Sequence, residues 1–102
     1  MNVMVDLCIV PLGEGTSLSK YIAECTRILR GNGLKTTLHG FGTIIEGDWD
    51  EVFDSIKQCH LALHNELGVE RITTTIKLGT RTDKAQSAED KVNAVERLLS
   101  KP

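Results

Sequence analysis

A glycine on each side of Phe41 predicts a β-hairpin near the middle of the chain. Two short strand-like runs, residues 34–39 and 43–47, flank the segment Gly40-Phe41-Gly42. Glycine favours such a turn because it adopts positive φ without a steric penalty. Helical patterns precede and follow the hairpin, so the chain is constrained to a fold in which two adjacent strands are framed by helices.

The segments around the hairpin predict two further strands and three helices. Apolar and polar residues alternate over residues 3–10, up to Pro11, and again over residues 72–78, as expected for half-buried strands. Three other segments place apolar residues at helical spacing. Their predicted caps and stops are, in chain order, Thr16 or Ser17, Gly31-Asn32-Gly33, Asp48, Gly68 and Ser87.

The predicted element order is therefore β-α-β-β-α-β-α. Its first six elements have the ferredoxin-like split order, an α+β fold in which two helices cover one face of a four-stranded antiparallel sheet. We expect the last helix, about residues 87–100, to dock outside this unit, because its apolar stripe requires a partner. The other sheet face is open to water, a ligand or another subunit. It is expected to carry Asp6, Cys8, Thr73, Thr75 and Lys77.

Length and charge exclude several classes of function. A chain of 102 residues predicts one domain, residues 1–102, small enough that self-association is expected. A formal net charge of -2 provides no basic footprint for nucleic acid. No apolar run is long enough to span a membrane and no signal-peptide pattern opens the chain, so we expect a cytoplasmic protein. The odd number of cysteines, Cys8, Cys25 and Cys59, suits reduced thiols.

The register of the hairpin decides which face of the sheet His39 joins. We predict a two-residue loop at Phe41-Gly42, which pairs Leu38 with Ile45 and places His39 on the open face. A three-residue loop would instead pair His39 with Thr43. A histidine at such a strand position is either a hydrogen-bonded structural residue or a ligand-binding group.

Five acidic residues crowd the start of the second helix. Carboxylates in a first helical turn cap backbone amides and favour the positive end of the helix dipole. That role accounts for Asp48, Asp50, Glu51 and Asp54. Glu46 precedes the helix on a strand, and it remains the binding candidate, with a hard-metal site as the minor alternative.

Two pairs of residues that include histidine resemble a metal site and a catalytic pair, but neither function is predicted. His60 and His64 share a helix face at a spacing able to hold a transition metal, but no third ligand is evident, so no metal site is predicted. Activation of Cys8 by His39 is not expected either, because an intervening strand separates the two side chains by roughly 10 Å.

Aromatic and polar groups near the hairpin and the fourth strand complete the candidate set. Trp49 is either a core anchor or, with Phe41, a stacking surface for a planar heterocycle. The loop Thr80-Arg81-Thr82-Asp83-Lys84 offers hydroxyls, cations and turn amides that could hold an anion. Alternatively, Arg81 and Asp83 could pair between subunits. No glycine motif of nucleotide-binding proteins is present.

Three segments together resemble the thiamine-binding protein family. They are Val5-Asp6-Leu7-Cys8-Ile9-Val10-Pro11, the run from Leu38 to Asp50, and Leu78-Gly79-Thr80-Arg81-Thr82-Asp83-Lys84. The resemblance covers nearly the whole chain. It implies a ferredoxin-like protein that assembles into dimers and tetramers and binds thiamine or its hydroxymethylpyrimidine moiety without known catalysis and without a cofactor.

The implied function suits the chemistry of the candidate residues. Side chains of Thr, His and Glu can match the donors and acceptors of an aminopyrimidine, and Glu46 or Asp6 can face a thiazolium cation. We expect a pocket near the hairpin and the following loop, at a subunit boundary, formed by His39, Thr43, Glu46, Trp49, Thr80 and Arg81. The alternatives are a structural or regulatory oligomer and, more weakly, a metal-assisted hydrolase.

Overall fold

A four-stranded antiparallel sheet with helices on one face forms the body of the protein. The computed structural model describes residues 1–102. The elements are β1 (Asn2–Leu12), α1 (Ser19–Gly31), β2 (Lys35–His39), β3 (Gly42–Asp48), α2 (Trp49–Asn65), β4 (Arg71–Gly79) and α3 (Ala88–Leu99). The strand order is β2-β3-β1-β4, and every neighbouring pair is antiparallel. This topology confirms the predicted ferredoxin-like fold with an additional C-terminal helix.

The core lies between the sheet and helices α1 and α2. Odd-numbered residues of β1 are buried there, and their cross-strand partners in β3 and β4 share that face. The largest fully buried apolar side chains include Val5, Leu29, Ile45, Val52, Leu63 and Val69. The even-numbered residues of β1 form the floor of the opposite face, as the alternation predicts.

The hairpin keeps the predicted faces but not the predicted register. Leu38 pairs with Thr43, and His39 pairs with Gly42, so the loop is Gly40-Phe41 rather than Phe41-Gly42. The shift is two positions, which preserves side-chain direction because strands have a period of two. Neither hairpin glycine has a positive φ, so the conformational reason predicted for them is wrong.

Two element boundaries also differ from the prediction. Strand β1 continues through Pro11 to Leu12 because, beyond Leu7, it pairs with β4 alone, and an unpaired edge tolerates a residue without an N–H. Helix α1 begins at Ser19 with Leu18 as N-cap and no side-chain cap, so neither Thr16 nor Ser17 caps it. Asp48 and Ser87 cap α2 and α3 as predicted.

Helix α3 is well capped, but its apolar stripe does not pack on its own chain. Ser87 and Asp90 form a reciprocal capping box, with both hydrogen bonds at 3.0 Å. None of its residues is buried, and Val92, Val95, Leu98 and Leu99 are between 56% and 72% exposed. The radius of gyration, 15.4 Å, exceeds the about 13 Å of a compact chain of this size. The helix lies outside the basic fold, as expected, but the stripe that was predicted to require a partner finds none within the chain.

Candidate functional site

An extensive concave surface lies between the open sheet face and the N-terminal end of α3. It is an open groove of about 900 Å³, lined by β1, β3, β4, the loop after β4 and the first turn of α3. Its apolar lining comprises Val3, Met4, Ile44, Leu78 and Ala85. Its volume falls within the range typical of small-molecule sites.

Glu46 stands where the sheet meets α3. Its Oε1 accepts a hydrogen bond from the Ala88 backbone N–H at 2.6 Å, which ties the helix to β3. Its Oε2 is buried and has no hydrogen-bond partner. The Lys35 ammonium lies 3.8 Å from Oε2, within ion-pair range but beyond a hydrogen bond. A buried acceptor left without a donor costs about 1–3 kcal/mol, so a donor on a bound molecule would be favoured here.

A hydrogen bond between two non-adjacent strands fixes the acidic floor of the groove. The Phe41 backbone N–H donates to Nδ1 of His39 at 3.2 Å, which leaves the imidazole proton on Nε2. Nε2 then donates to Oδ1 of Asp6 at 2.7 Å, across the intervening strand β3. Both ring nitrogens are therefore used within the protein, and His39 acts on the groove through Asp6.

Gly42 makes this cross-strand contact possible. A Cβ at position 42 would stand 2.5 Å from the Leu7 carbonyl oxygen and 3.1 Å from Asp6 Oδ1. The glycine is required by the close approach of β1, not by its backbone angles. Sequence reasoning found the right residue for the wrong physical reason.

The six predicted site residues separate into three groups. Glu46, Thr80 and Arg81 line the groove, while His39 lies beside it, bonded to the groove residue Asp6. Thr43 is 5% exposed and lies on the core face opposite Leu7. Trp49 stacks on Phe53, with ring centroids 4.9 Å apart, at the edge of the core. Neither Thr43 nor Trp49 reaches the groove, and Phe41 is 90% exposed at the hairpin tip.

The loop after β4 is held by its own salt bridge. Arg81 Nε and Nη2 donate to the two carboxylate oxygens of Asp83 at 2.5 and 2.9 Å. This bidentate pair lowers the pKa of Asp83 and raises that of Arg81. The two residues thus pair within one chain.

Helix α2 carries its two histidines against the end of the core and not toward a metal site. Nδ1 of His64 donates to the Val69 carbonyl, and Nε2 of His60 lies 2.6 Å from Thr74 Oγ1. No three His, Cys, Asp or Glu residues lie close enough together to hold a metal ion. None of the helices combines the length and apolar character that a bilayer crossing requires.

The environment of His60 predicts acid sensitivity of the fold. Burial, and then the neighbouring His64, lowers the pKa of His60 below 6.5. As the pH falls, His60 is therefore protonated in the unfolded chain at a higher pH than in the folded protein. The stability that neutral, buried His60 contributes to the unfolding free energy is present above about pH 6.5 and is lost below it. Denaturant titrations between pH 7.5 and 5 should show this loss, and His60→Gln should reduce it. An unchanged pH slope in the variant would assign the effect to other groups.

Comparison with other sequences gives matches along almost the whole chain. A sequence model of the thiamine-binding protein family matches residues 5–96. The UPF0045 protein sll0230 of Synechocystis sp. is 54% identical over 99 residues, which cover 97% of this chain and 81% of the relative. The UPF0045 protein ECM15 of Eremothecium gossypii is 50% identical over 101 residues, covering 98% and 95%.

Solved structures share the architecture. A hypothetical protein of Methanocaldococcus jannaschii, MJ1052, superimposes with a TM-score of 0.84 at 33% identity and covers 93% of this chain and 96% of its own. A Thermotoga maritima protein assigned provisionally to thiamine biosynthesis or salvage superimposes with a TM-score of 0.78 at 21% identity, covering 93% and 99%. The latter likeness is one of fold.

Proposed function

The chain belongs to the thiamine-binding protein family, and from that premise we propose that it binds thiamine or its hydroxymethylpyrimidine moiety, without catalysis, in the groove between the sheet and α3. The observation that carries the proposal is the buried Oε2 of Glu46, which has no hydrogen-bond donor within the chain. The amino group of a 4-aminopyrimidine is an N–H donor, and a carboxylate oxygen without a donor is an acceptor suited to it.

The remaining lining of the groove suits the rest of such a ring. Met4 and Ile44 project from the open face and offer an apolar floor for the faces of a heterocycle. Thr80 supplies a hydroxyl at the far side. Because Trp49 packs on Phe53, the proposal does not include aromatic stacking on that side chain.

Isothermal titration calorimetry with hydroxymethylpyrimidine and with thiamine tests the proposal. A ligand of about ten heavy atoms, at an efficiency between ~0.3 and ~1.5 kcal/mol per atom, is compatible with roughly micromolar binding. We expect saturable heat with hydroxymethylpyrimidine in that range. No saturable heat with either compound at millimolar concentration would reject the function.

We also propose that the protein is a homo-oligomer, a dimer that pairs into a tetramer. The support is the apolar stripe of α3, which the chain itself leaves uncovered. Burying a side chain of the size of Val or Leu contributes about 1.5–3 kcal/mol, so four such residues favour a partner. The same stripe supports the second candidate function, an oligomer whose role is structural or regulatory.

The stripe yields a direct test of assembly. Light scattering at micromolar concentration should give a mass that is an even multiple of 11.2 kDa. Val95→Glu should shift the mass toward the monomer, and the dissociated variant should stay folded by far-UV circular dichroism, because Val95 is 56% exposed in the chain. Glu96→Gln on the same helix is the control and should leave the mass unchanged. A wild-type monomer would refute the assembly.

A further inference from the structure

The charged lining of the groove is unbalanced. Five basic side chains face three acidic ones. The basic residues are Lys35, Lys77, Arg81, Lys84 and Lys91, and the acidic residues are Asp6, Glu46 and Asp90. The excess is the reverse of the chain as a whole, whose formal net charge is -2. Two carboxylates just outside the lining offset part of this excess, because Asp83 pairs with Arg81 and Glu89 lies 4.0 Å from Lys35, so the cations left for a ligand are Lys77, Lys84 and Lys91.

Each acidic side chain in the groove is already engaged within the chain. Asp6 accepts from His39, Glu46 accepts from the Ala88 N–H, and Asp90 accepts from the Ser87 N–H. The last contact lowers the pKa of Asp90, so that carboxylate remains ionised in its capping role. None of these three carboxylates forms a salt bridge with Lys84 in the loop or with Lys91 in α3.

Three of the basic groups have no carboxylate partner. Lys35 is within ion-pair range of Glu46, and Arg81 is held by Asp83. Lys77, Lys84 and Lys91 form no salt bridge with any acidic group of the chain. They come from β4, the loop and the first turn of α3, so three separate elements bring free ammonium groups to one concavity.

The position of Lys77 shows how one of these charges is kept free. Lys77 lies directly opposite Asp6 in the β1–β4 register, where opposite charges ordinarily pair. The Asp6 carboxylate is instead bonded to His39 on the other side, at 2.7 Å. Asp6 is therefore bonded to His39, and Lys77 forms no salt bridge with the acidic residue opposite it.

We propose that this groove selects a phosphate monoester of the aminopyrimidine, with the phosphate among Lys77, Lys84 and Lys91 and the ring against Glu46. The inference rests on the proposed function and names its ligand class more closely. Ammonium groups form charge-assisted hydrogen bonds with phosphate oxygens, and three ammonium groups without a carboxylate partner in one concavity favour an anion there. Hydroxymethylpyrimidine phosphate and thiamine monophosphate both carry the required group.

Calorimetric titrations with four compounds and inorganic phosphate test the proposal at low salt. Hydroxymethylpyrimidine phosphate or thiamine monophosphate should bind at least tenfold more tightly than its unphosphorylated parent, and the member that shows the gain identifies the source. Lys84→Gln or Lys91→Gln should remove most of that gain, so that each variant binds the phosphorylated compound and its parent with nearly equal affinity. Lys57→Gln, an equally unpaired lysine on α2 outside the groove, should preserve it.

The outcomes separate this inference from the function on which it rests. Binding of hydroxymethylpyrimidine without any gain from the phosphate would overturn the inference and leave the proposed function standing. A gain that persists in the lysine variants would also overturn it. Inorganic phosphate binding as tightly as the phosphorylated pyrimidine would show a general anion site and contradict the selectivity. If no pyrimidine compound binds, the proposed function fails first.

Discussion

Gly42→Ala is expected to lower the free energy of unfolding by about 1–3 kcal/mol, the usual result of forcing an extra carbon into a packed region. The added Cβ would stand 2.5 Å from the Leu7 carbonyl oxygen, so strand β1 or β3 must move. It would also lie 3.1 Å from Asp6 Oδ1, in the path of the His39–Asp6 hydrogen bond. Denaturant-induced unfolding of the variant and the wild type measures the difference.

Gly40→Ala is the matched control in the same hairpin. A Cβ at Gly40 meets no atom within 4 Å, and Gly40 does not have a positive φ. The substitution should therefore be neutral or stabilising by up to about 1 kcal/mol, because alanine restricts the unfolded chain. Equal losses at positions 40 and 42 would show that the close approach of β1 is not the reason for Gly42.

Glu46→Gln is expected to weaken hydroxymethylpyrimidine binding by about 1–3 kcal/mol, roughly 5- to 150-fold. The glutamine carbonyl can still accept from the Ala88 N–H, so the link between β3 and α3 is retained. The amide N–H₂ group takes the place of Oε2. It donates hydrogen bonds and cannot accept one from the amino group of the ligand. The substitution thus separates the ligand contact from the structural contact of the same side chain.

Calorimetry on Glu46→Gln and on Glu70→Gln measures this effect. Glu70 is exposed, precedes β4 and lines no part of the groove, so its substitution removes an acidic charge without touching the proposed site. Unchanged affinity in both variants would place the pyrimidine elsewhere. A large loss in both would indicate that net charge, and not the Glu46 carboxylate, governs binding.

The sequence pattern predicted the fold well because its signals are local. Alternation along β1 and β4 identified the core face. The predicted register of the hairpin was wrong by two positions, but a shift of two leaves each side chain on the predicted face of the sheet. The role of Gly42 was not predictable, since it depends on how closely β1 passes, a tertiary distance. The periodicity of α3 showed an apolar stripe but carried no information on which surface covers it.

The sequence predicted correctly only those groove residues that lie at a strand end or in the loop that follows a strand. Glu46 at a strand end and Thr80 and Arg81 in the following loop lie in the groove. Thr43 has the same parity as Ile45, so alternation alone would have placed it on the core face. Lys84 lies in the loop that the sequence offered as an anion site, whereas Lys91 was missed because an unpaired lysine in the sequence is indistinguishable from an ordinary solvated one.

Chemical-shift mapping of the labelled protein with hydroxymethylpyrimidine tests the central claim most directly, because it locates the bound compound. The amides of Glu46, Gly79 and Ala88 border the groove or its Glu46 contact, and they should shift progressively to saturation. The amide of Gly40, at the hairpin tip outside the groove, should remain unchanged. Shifts confined to the hairpin or the far face of α2, or no shifts at millimolar compound, would contradict the site.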